Sequence, residues 1–319
     1  MNLLIFGGTG FLGKAFLRNL LSDNSFSSIT IFTRSSSNFI DKSPELYQIL
    51  SSRIEIDFIN GDTEKFDTFP SDKRFTHVLH MAAESTNGYD LDITEKYQNI
   101  YVSTLNILKF IKKQSISKFV YVSSGGVYGN FTKPVSENSK LDLSLVSKNE
   151  SYSVFKLVSE HLVHIFCTEN NLDYVIARAF SFYGQDLPLL NHFVIGNFLQ
   201  DILSGNEISI HTKDDVVRSF MHQEDLARAL LILLLNKNKF LTYNIGSDEE
   251  ISIKDLARLM VNEFSPKTNI VFTHKIDKSP RPYYVPNIKK FRDEYSYKPR
   301  YNLLNGLKQT IKILRNEKE

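Results

Sequence analysis

The sequence predicts an α/β chain built on a doubly wound parallel sheet, and three observations predict it. Short β-rich apolar runs alternate with helical stretches through the first half, a glycine turn separates the first run from the first helix, and the pattern loosens after Arg178. The first run, Asn2-Leu3-Leu4-Ile5-Phe6, reads as a buried strand. It passes into Gly7-Gly8-Thr9-Gly10-Phe11-Leu12-Gly13 and then an amphipathic helix carrying Phe16, Leu17, Leu20 and Leu21. Glycines let a backbone approach a pyrophosphate, and a helix N-terminus offers N–H groups and a positive dipole end. Dinucleotide binding follows, with Gly7, Thr9, Gly10, Phe11, Leu12 and Gly13 as its loop.

Further strands are expected at Ile29–Phe32, Ile54–Ile59, His77–His80, Phe119–Val122 and Tyr174–Ala177, with helices near 91–113 and 153–169. Beyond Arg178 the expectations are a loop from Gly184 to Pro188, a helix over Phe193–Leu203, a strand over Ile208–His211 and a helix capped by Ser252. The end of the second strand bears on cofactor choice. An acidic residue there holds a ribose 2′-hydroxyl, whereas an Arg accommodates a 2′-phosphate. Here the residues are Thr33-Arg34-Ser35, so Arg34 and Ser35 favour NADP over NAD.

Ser124, Tyr152 and Lys156 turn a nucleotide-binding pattern into a redox one. Tyr152 and Lys156 are four residues apart and share a helix face. An ammonium beside a phenol favours the phenolate, which makes Tyr152 a usable acid or base. Ser124 ends an apolar run, where the carboxyl end of a parallel strand presents its hydroxyl to a ligand.

Composition sets bounds on the remaining classes. The 319 residues suit more than one small domain, and the net charge of +2 gives no bulk electrostatic case for nucleic acid or an anionic membrane. A single cysteine, Cys167, fits a reducing, cytoplasmic compartment. The first apolar run lacks a basic leader and is strand one rather than a signal peptide. The longest apolar run, Ala229 to Leu235, falls far short of the ~20 residues of a membrane span. His161 and His164 have helical proximity but no third ligand nearby, so no metal is expected.

At this point the chain resembles the extended short-chain dehydrogenase/reductases, the family of nucleotide-sugar epimerases, dehydratases and reductases. The residues that carry the resemblance run along nearly the whole chain. They are Gly7-x-x-Gly10-x-x-Gly13, Gly61-Asp62, His80-Met81-Ala82-Ala83-Glu84-Ser85, Asn99, Ser123-Ser124-Gly125-Gly126-Val127-Tyr128-Gly129 and Tyr152-x-x-x-Lys156. They continue with Arg178, Tyr183-Gly184, Arg218-Ser219-Phe220, Asn244-Ile245-Gly246 and Pro280-Arg281-Pro282.

The resemblance implies a Rossmann domain over residues 1–178, with 218–246 returning to it, and a smaller lobe over 179–217 and 247–319 that binds a nucleotide-diphosphate sugar. It implies cofactor contacts at Asp62, Ala82, Ala83, Asn99, Tyr152 and Lys156, and substrate contacts at Glu84, Ser124, Ser181, His192, Phe193, Arg218 and Arg281. Ser181 departs from the Asn the family often has there. Members that eliminate water or decarboxylate carry acids just after the catalytic Ser or Thr, where this chain has Gly125-Gly126. What remains is hydride transfer, and the expectation is reduction of a 4-keto hexose at C4. A 4-epimerase with retained NAD is the alternative, and a non-catalytic NADP sensor is the rival class.

The helices near 91–113 and 153–169 carry apolar residues round most of their circumference, more than one sheet face can cover. A homodimer through these helices is expected, and the resemblance implies the same pairing.

Overall fold

The computed structural model describes residues 1–83, 92–189, 193–211, 216–273 and 282–316. Along the chain the strands begin with β1 (Asn2–Phe6), β2 (Ser28–Thr33), β3 (Glu55–Asn60), β4 (His77–His80), β5 (Lys118–Ser124) and β6 (Tyr174–Ala179). Shorter ones follow: β7 (Phe182–Tyr183), β8 (Ile208–Ile210), β9 (Val217–Arg218), β10 (Met221–His222), β11 (Thr242–Ile245), β12 (Ile251–Ser252), β13 (Ile270–Phe272) and β14 (Tyr283–Tyr284). The first helices are α1 (Phe11–Leu20), α2 (Ser36–Lys42), α3 (Pro44–Ser51), α4 (Ile93–Tyr97), α5 (Ser103–Ile111) and α6 (Ser151–Glu169). The later ones are α7 (Val194–Ser204), α8 (Gln223–Leu235), α9 (Ile253–Phe264), α10 (Lys289–Tyr295) and α11 (Leu303–Asn316).

The chain divides into two compact units, the first made of residues 1–129, 143–179 and 226–243, the second of 130–142, 180–225 and 244–319. Seven strands form one sheet in the order β11-β6-β5-β4-β1-β2-β3. The registers from β1 to β6 are parallel throughout. The order reverses between β1 and β4, the switch point at which a doubly wound sheet opens a crevice at its carboxyl ends. Leu3 to Phe6 are fully buried because helices cover both faces, which is why β1 reads as an unbroken apolar run. Ring packing closes one side of this core, with Phe6 and Phe32 centroids 5.2 Å apart and Phe32 and Phe69 4.9 Å apart.

The expected strands form within two residues of their predicted limits. The long helix near 91–113 does not form as one α-helix. Asp92 opens α4 with a capping box, accepting from Thr94 N at 2.7 Å and Glu95 N at 2.9 Å while Glu95 Oε2 accepts from Asp92 N at 2.9 Å. A π-helical turn over Gln98–Val102 then separates α4 from α5.

In the second unit the expected helix over Phe193–Leu203 appears as α7, ended by Gly205 at φ +71°. Ser252 caps α9 by accepting from Asp255 N at 3.1 Å. The buried Asp225 carboxylate organises the C-terminal segment, accepting from Arg300 N at 2.9 Å and Tyr301 N at 3.0 Å. Tyr183 donates to Leu303 O at 3.0 Å, anchoring the start of α11.

Candidate active site

The glycine loop leaves no room for a side chain at Gly7 or Gly13. Gly7 sits at φ +85°, and a Cβ on it would lie 2.7 Å from Ala82 N. A Cβ on Gly13 would meet Gly7 O and Gly8 O at 2.4 Å, so α1 packs directly against the turn. Gly10 caps α1 without a side-chain hydrogen bond, and the first turn holds no acid. First-turn amides have no intrahelical acceptor, so this end of α1 suits a pyrophosphate. The close backbone packing at Gly7 and Gly13 and the acid-free, uncapped start of α1 fit a dinucleotide. Ala82, with Ala83 after it, follows β4 and borders the loop through the close approach to Gly7.

At the end of β2, Thr33 Oγ1 lies 3.4 Å from Thr9 Oγ1 and tethers the loop. Arg34 is exposed. Ser35 caps α2, accepting from Asn38 N at 3.3 Å, so both hydroxyls flanking Arg34 already have protein partners. Asp62 accepts from Glu64 N at 3.0 Å in a tight turn, and Glu64 Oε1 in turn accepts from Asn99 Nδ2 at 3.4 Å. Asn99 lies in the π-helical turn, which links that distortion to the cluster. No sequence spacing singles out Glu64.

Ser124 ends β5, and its Oγ accepts from Gly126 N at 3.0 Å. A Cβ on Gly126 would stand 2.5 Å from Ser153 Oγ and 3.3 Å from Ser124 Oγ, so Ser124 and the start of α6 close on the same glycine. Tyr152 and Lys156 follow one turn apart on α6. Lys156 Nζ donates to Val122 O at 3.0 Å, which binds the helix to β5 two residues before Ser124. The ammonium stands 5.0 Å from the centroid of the buried Tyr121 ring. Burial pushes Lys156 down to about 8, and the negative charge of Glu160 acts against that fall. His80 is buried beside this group and held well below the usual imidazole range, first by burial and then by Lys156. The first unit therefore brings Ser124 and Lys156 together where β5 meets α6, with Tyr152 one turn before Lys156 on the helix, a set of groups able to hold an oxygen and move a proton.

In the second unit Ser181 O accepts from Met221 N at 3.0 Å, and Phe193 sits at the N-cap of α7. The Arg218 guanidinium lies 5.6 Å from the Tyr284 ring centroid. Its Nε is buried without a hydrogen-bond acceptor among the described residues, which suits an anionic ligand. Glu84, His192 and Arg281 lie outside the described residues. Among the described residues no group of three or more His, Cys, Asp or Glu is arranged to hold a metal, and no helix is long and apolar enough to cross a membrane. His164 Nδ1 instead hydrogen-bonds with Tyr174 OH.

Comparison with known proteins agrees with this architecture. Residues 3–246 match the NAD dependent epimerase/dehydratase family. The chain is 26% identical over 323 residues to a putative UDP-glucose 4-epimerase of Methanocaldococcus jannaschii, covering 98% of each. Its fold superposes on a UDP-glucose 4-epimerase of Thermotoga maritima with UDP-glucose at a TM-score of 0.84, with 22% identity and 100% of both chains covered. It also superposes on a UDP-glucuronic acid 4-epimerase of Bacillus cereus in complex with NAD at a TM-score of 0.82, with 23% identity and 100% of both chains covered. With a doubly wound sheet, a glycine cradle at its switch point and a match over most of its length, the chain belongs to the NAD dependent epimerase/dehydratase family and is an enzyme of that family.

Proposed function

We propose that this enzyme epimerises a nucleotide-diphosphate hexose at C4, using NAD that it retains through the cycle. The observation that carries the reading is the corner formed by Ser124, Tyr152 and Lys156 around a glycine pair. NAD, when bound, takes up and returns a hydride. The Ser124 hydroxyl orients the sugar oxygen by hydrogen bond, Tyr152 takes the proton from that oxygen and later gives it back, and Lys156 tunes the phenol. Gly7, Thr9, Gly10, Phe11, Leu12 and Gly13 hold the dinucleotide, with Asp62, Ala82, Ala83 and Asn99 on its flanks. Arg218 and Arg281 take the diphosphate because a guanidinium donates in pairs to phosphate oxygens. Glu84, Ser181, His192 and Phe193 contact the remaining substrate. In domain terms, residues 1–178 and 218–246 serve the cofactor, and 179–217 and 247–319 serve the sugar nucleotide.

Two features favour this over elimination or decarboxylation. The positions after Ser124 are glycines, and Gly126 has no room for a carboxylate while Ser153 stands 2.5 Å from where its Cβ would be. The similar UDP-glucose and UDP-glucuronic acid 4-epimerases support the same direction. A second reading, net reduction of a 4-keto hexose by NADPH, is favoured by Arg34 at the end of β2 in place of an acid. A panel of UDP- and dTDP-hexoses separates the two. Formation of C4 epimers without added reductant supports epimerisation, and consumption of NADPH with keto sugars alone supports reduction. A homodimer through α4, α5 and α6 belongs to the same proposal, supported by the exposure of Tyr97, Val158 and Ile165 on those helices. So does a cytoplasmic setting, supported by the single cysteine.

A further inference from the structure

Helix α6 carries a third functional-looking side chain at the spacing of the first two. Glu160 lies four residues after Lys156 and eight after Tyr152, so the three share one face of the helix. Lys156 is 3% exposed and Glu160 5%, and a carboxylate is rarely buried so far without a partner. Its partner is Arg178 on β6. Arg178 Nε donates to Glu160 Oε1 at 3.0 Å and its terminal nitrogen to Oε2 at 2.7 Å, a forked pair that fixes the carboxylate in place. Arg178 is held in turn over the Tyr128 ring, 4.7 Å from its centroid, in the turn that follows Ser124.

Charges therefore alternate through a buried path: the Lys156 ammonium, the Glu160 carboxylate, the Arg178 guanidinium. We propose that Glu160 is a positioning residue for the reaction: clamped by Arg178, its carboxylate keeps Lys156 in the ammonium form beside Tyr152. Burial by itself works against that form, because an ammonium taken from water loses its hydration. The groups facing Lys156 from the packed elements give it no other anion among the described residues. His80 on β4 is neutral, Tyr121 on β5 is held protonated by burial, and Tyr152 on α6 is the group Lys156 serves. Glu160 raises Lys156, against the fall to about 8 that burial imposes. A link that only braced α6 against β6 could sit at any site within reach of Arg178. Here it occupies the position one turn beyond the catalytic lysine, on the same face.

The inference rests on the assignment of Lys156 to the catalytic group, but its test reads Lys156 directly and needs no substrate. Full-length protein labelled with ¹³C at lysine Cε is titrated by NMR, and the Lys156 resonance is identified by its loss in Lys156→Met. Glu160→Gln keeps the size and an oxygen for Arg178 while removing the charge. The Lys156 midpoint should fall by roughly one pH unit, a tenfold loss of proton affinity. The basic limb of the pH–rate profile should move the same way. Because Glu160→Gln strands the Arg178 charge, the double variant Glu160→Gln/Arg178→Met serves as a second test in which Arg178 leaves no unpaired charge. The midpoint should fall there too. An unchanged midpoint in either folded variant overturns the proposal, as does a wild-type midpoint below about 7, where Glu160 would be failing to hold the charge. Loss of the nucleotide-sugar reading would leave the titration intact, and a failed titration would leave that reading intact.

Discussion

Lys156 Nζ donates to the backbone carbonyl of Val122 at 3.0 Å, and that bond ties the helix carrying Tyr152 to the strand ending in Ser124. The proposed catalytic group is thus set by the packing of one helix on one strand rather than by a mobile loop. Rigid placement of this kind is what a proton transfer at a fixed oxygen requires.

Replacing Tyr152 by Phe removes one hydroxyl and leaves the ring. Turnover should drop by about 10²–10⁴-fold, the weight of a positioned acid or base, while NAD affinity persists. Steady-state kinetics together with a cofactor titration check this. Full activity would take Tyr152 out of the chemistry.

Gly13→Ala should abolish cofactor binding and lower the melting temperature. The new methyl would lie 2.4 Å from Gly7 O and Gly8 O, backbone atoms that cannot rotate away. Overpacking of this sort costs about 1–3 kcal/mol or more. Calorimetric melting with and without NAD reads both effects, and a wild-type response to NAD would contradict the cradle.

Arg34→Ala discriminates between the two cofactor readings. If the guanidinium pairs with a 2′-phosphate, NADPH should weaken far more than NADH, because charge-assisted contacts are worth ~1.5–3 kcal/mol each. If the enzyme retains NAD, both affinities should change little, and denaturing the purified protein should release NAD.

Stability should depend on pH through Lys156. Its folded value of about 8 lies below the ordinary 10.5, so between these the unfolded chain binds more protons than the native one. Stability from this group therefore rises with pH across that window and is flat below it. Cys167, pushed up to about 12 by burial from 9.0, acts in the opposite sense above pH 9. Chemical denaturation of wild type against Lys156→Met cancels the cysteine and isolates the lysine. A difference that does not change with pH from 8 to 10 would refute the assignment.

How much of this is legible in the sequence follows from how local each feature is. The glycine cradle and the Tyr152–Lys156 pair are set by spacings of a few residues, so they read directly from the chain. The Glu160–Arg178 pair joins residues 18 apart through the packing of α6 on β6, and no periodicity announces it. The π-helical turn at Gln98–Val102 is equally silent, because apolar residues run round most of the circumference in this stretch and mask the shift of phase that an extra residue makes. Thr33 and Ser35 flank Arg34 in the sequence, and only folding engages one with Thr9 and the other in the cap of α2.

The dimer prediction rests on the outer faces of α4 and α6, where Tyr97 stacks on Tyr101 at 5.3 Å and meets the edge of Phe155 at 5.8 Å. Light scattering at micromolar concentration should give twice the monomer mass, and Phe155→Asp should split the dimer while circular dichroism stays native. A monomer mass for the wild type would end this proposal.

The most direct test of the central claim follows a C4 deuteron. The enzyme is incubated with a nucleotide hexose deuterated at C4, without added reductant, and the epimer is analysed by mass spectrometry. Hydride removal and return at the Ser124–Tyr152–Lys156 corner predicts a C4 epimer that keeps its deuterium, and its loss in Tyr152→Phe. An epimer that has exchanged deuterium for solvent hydrogen, or a dehydrated product in its place, would contradict the account.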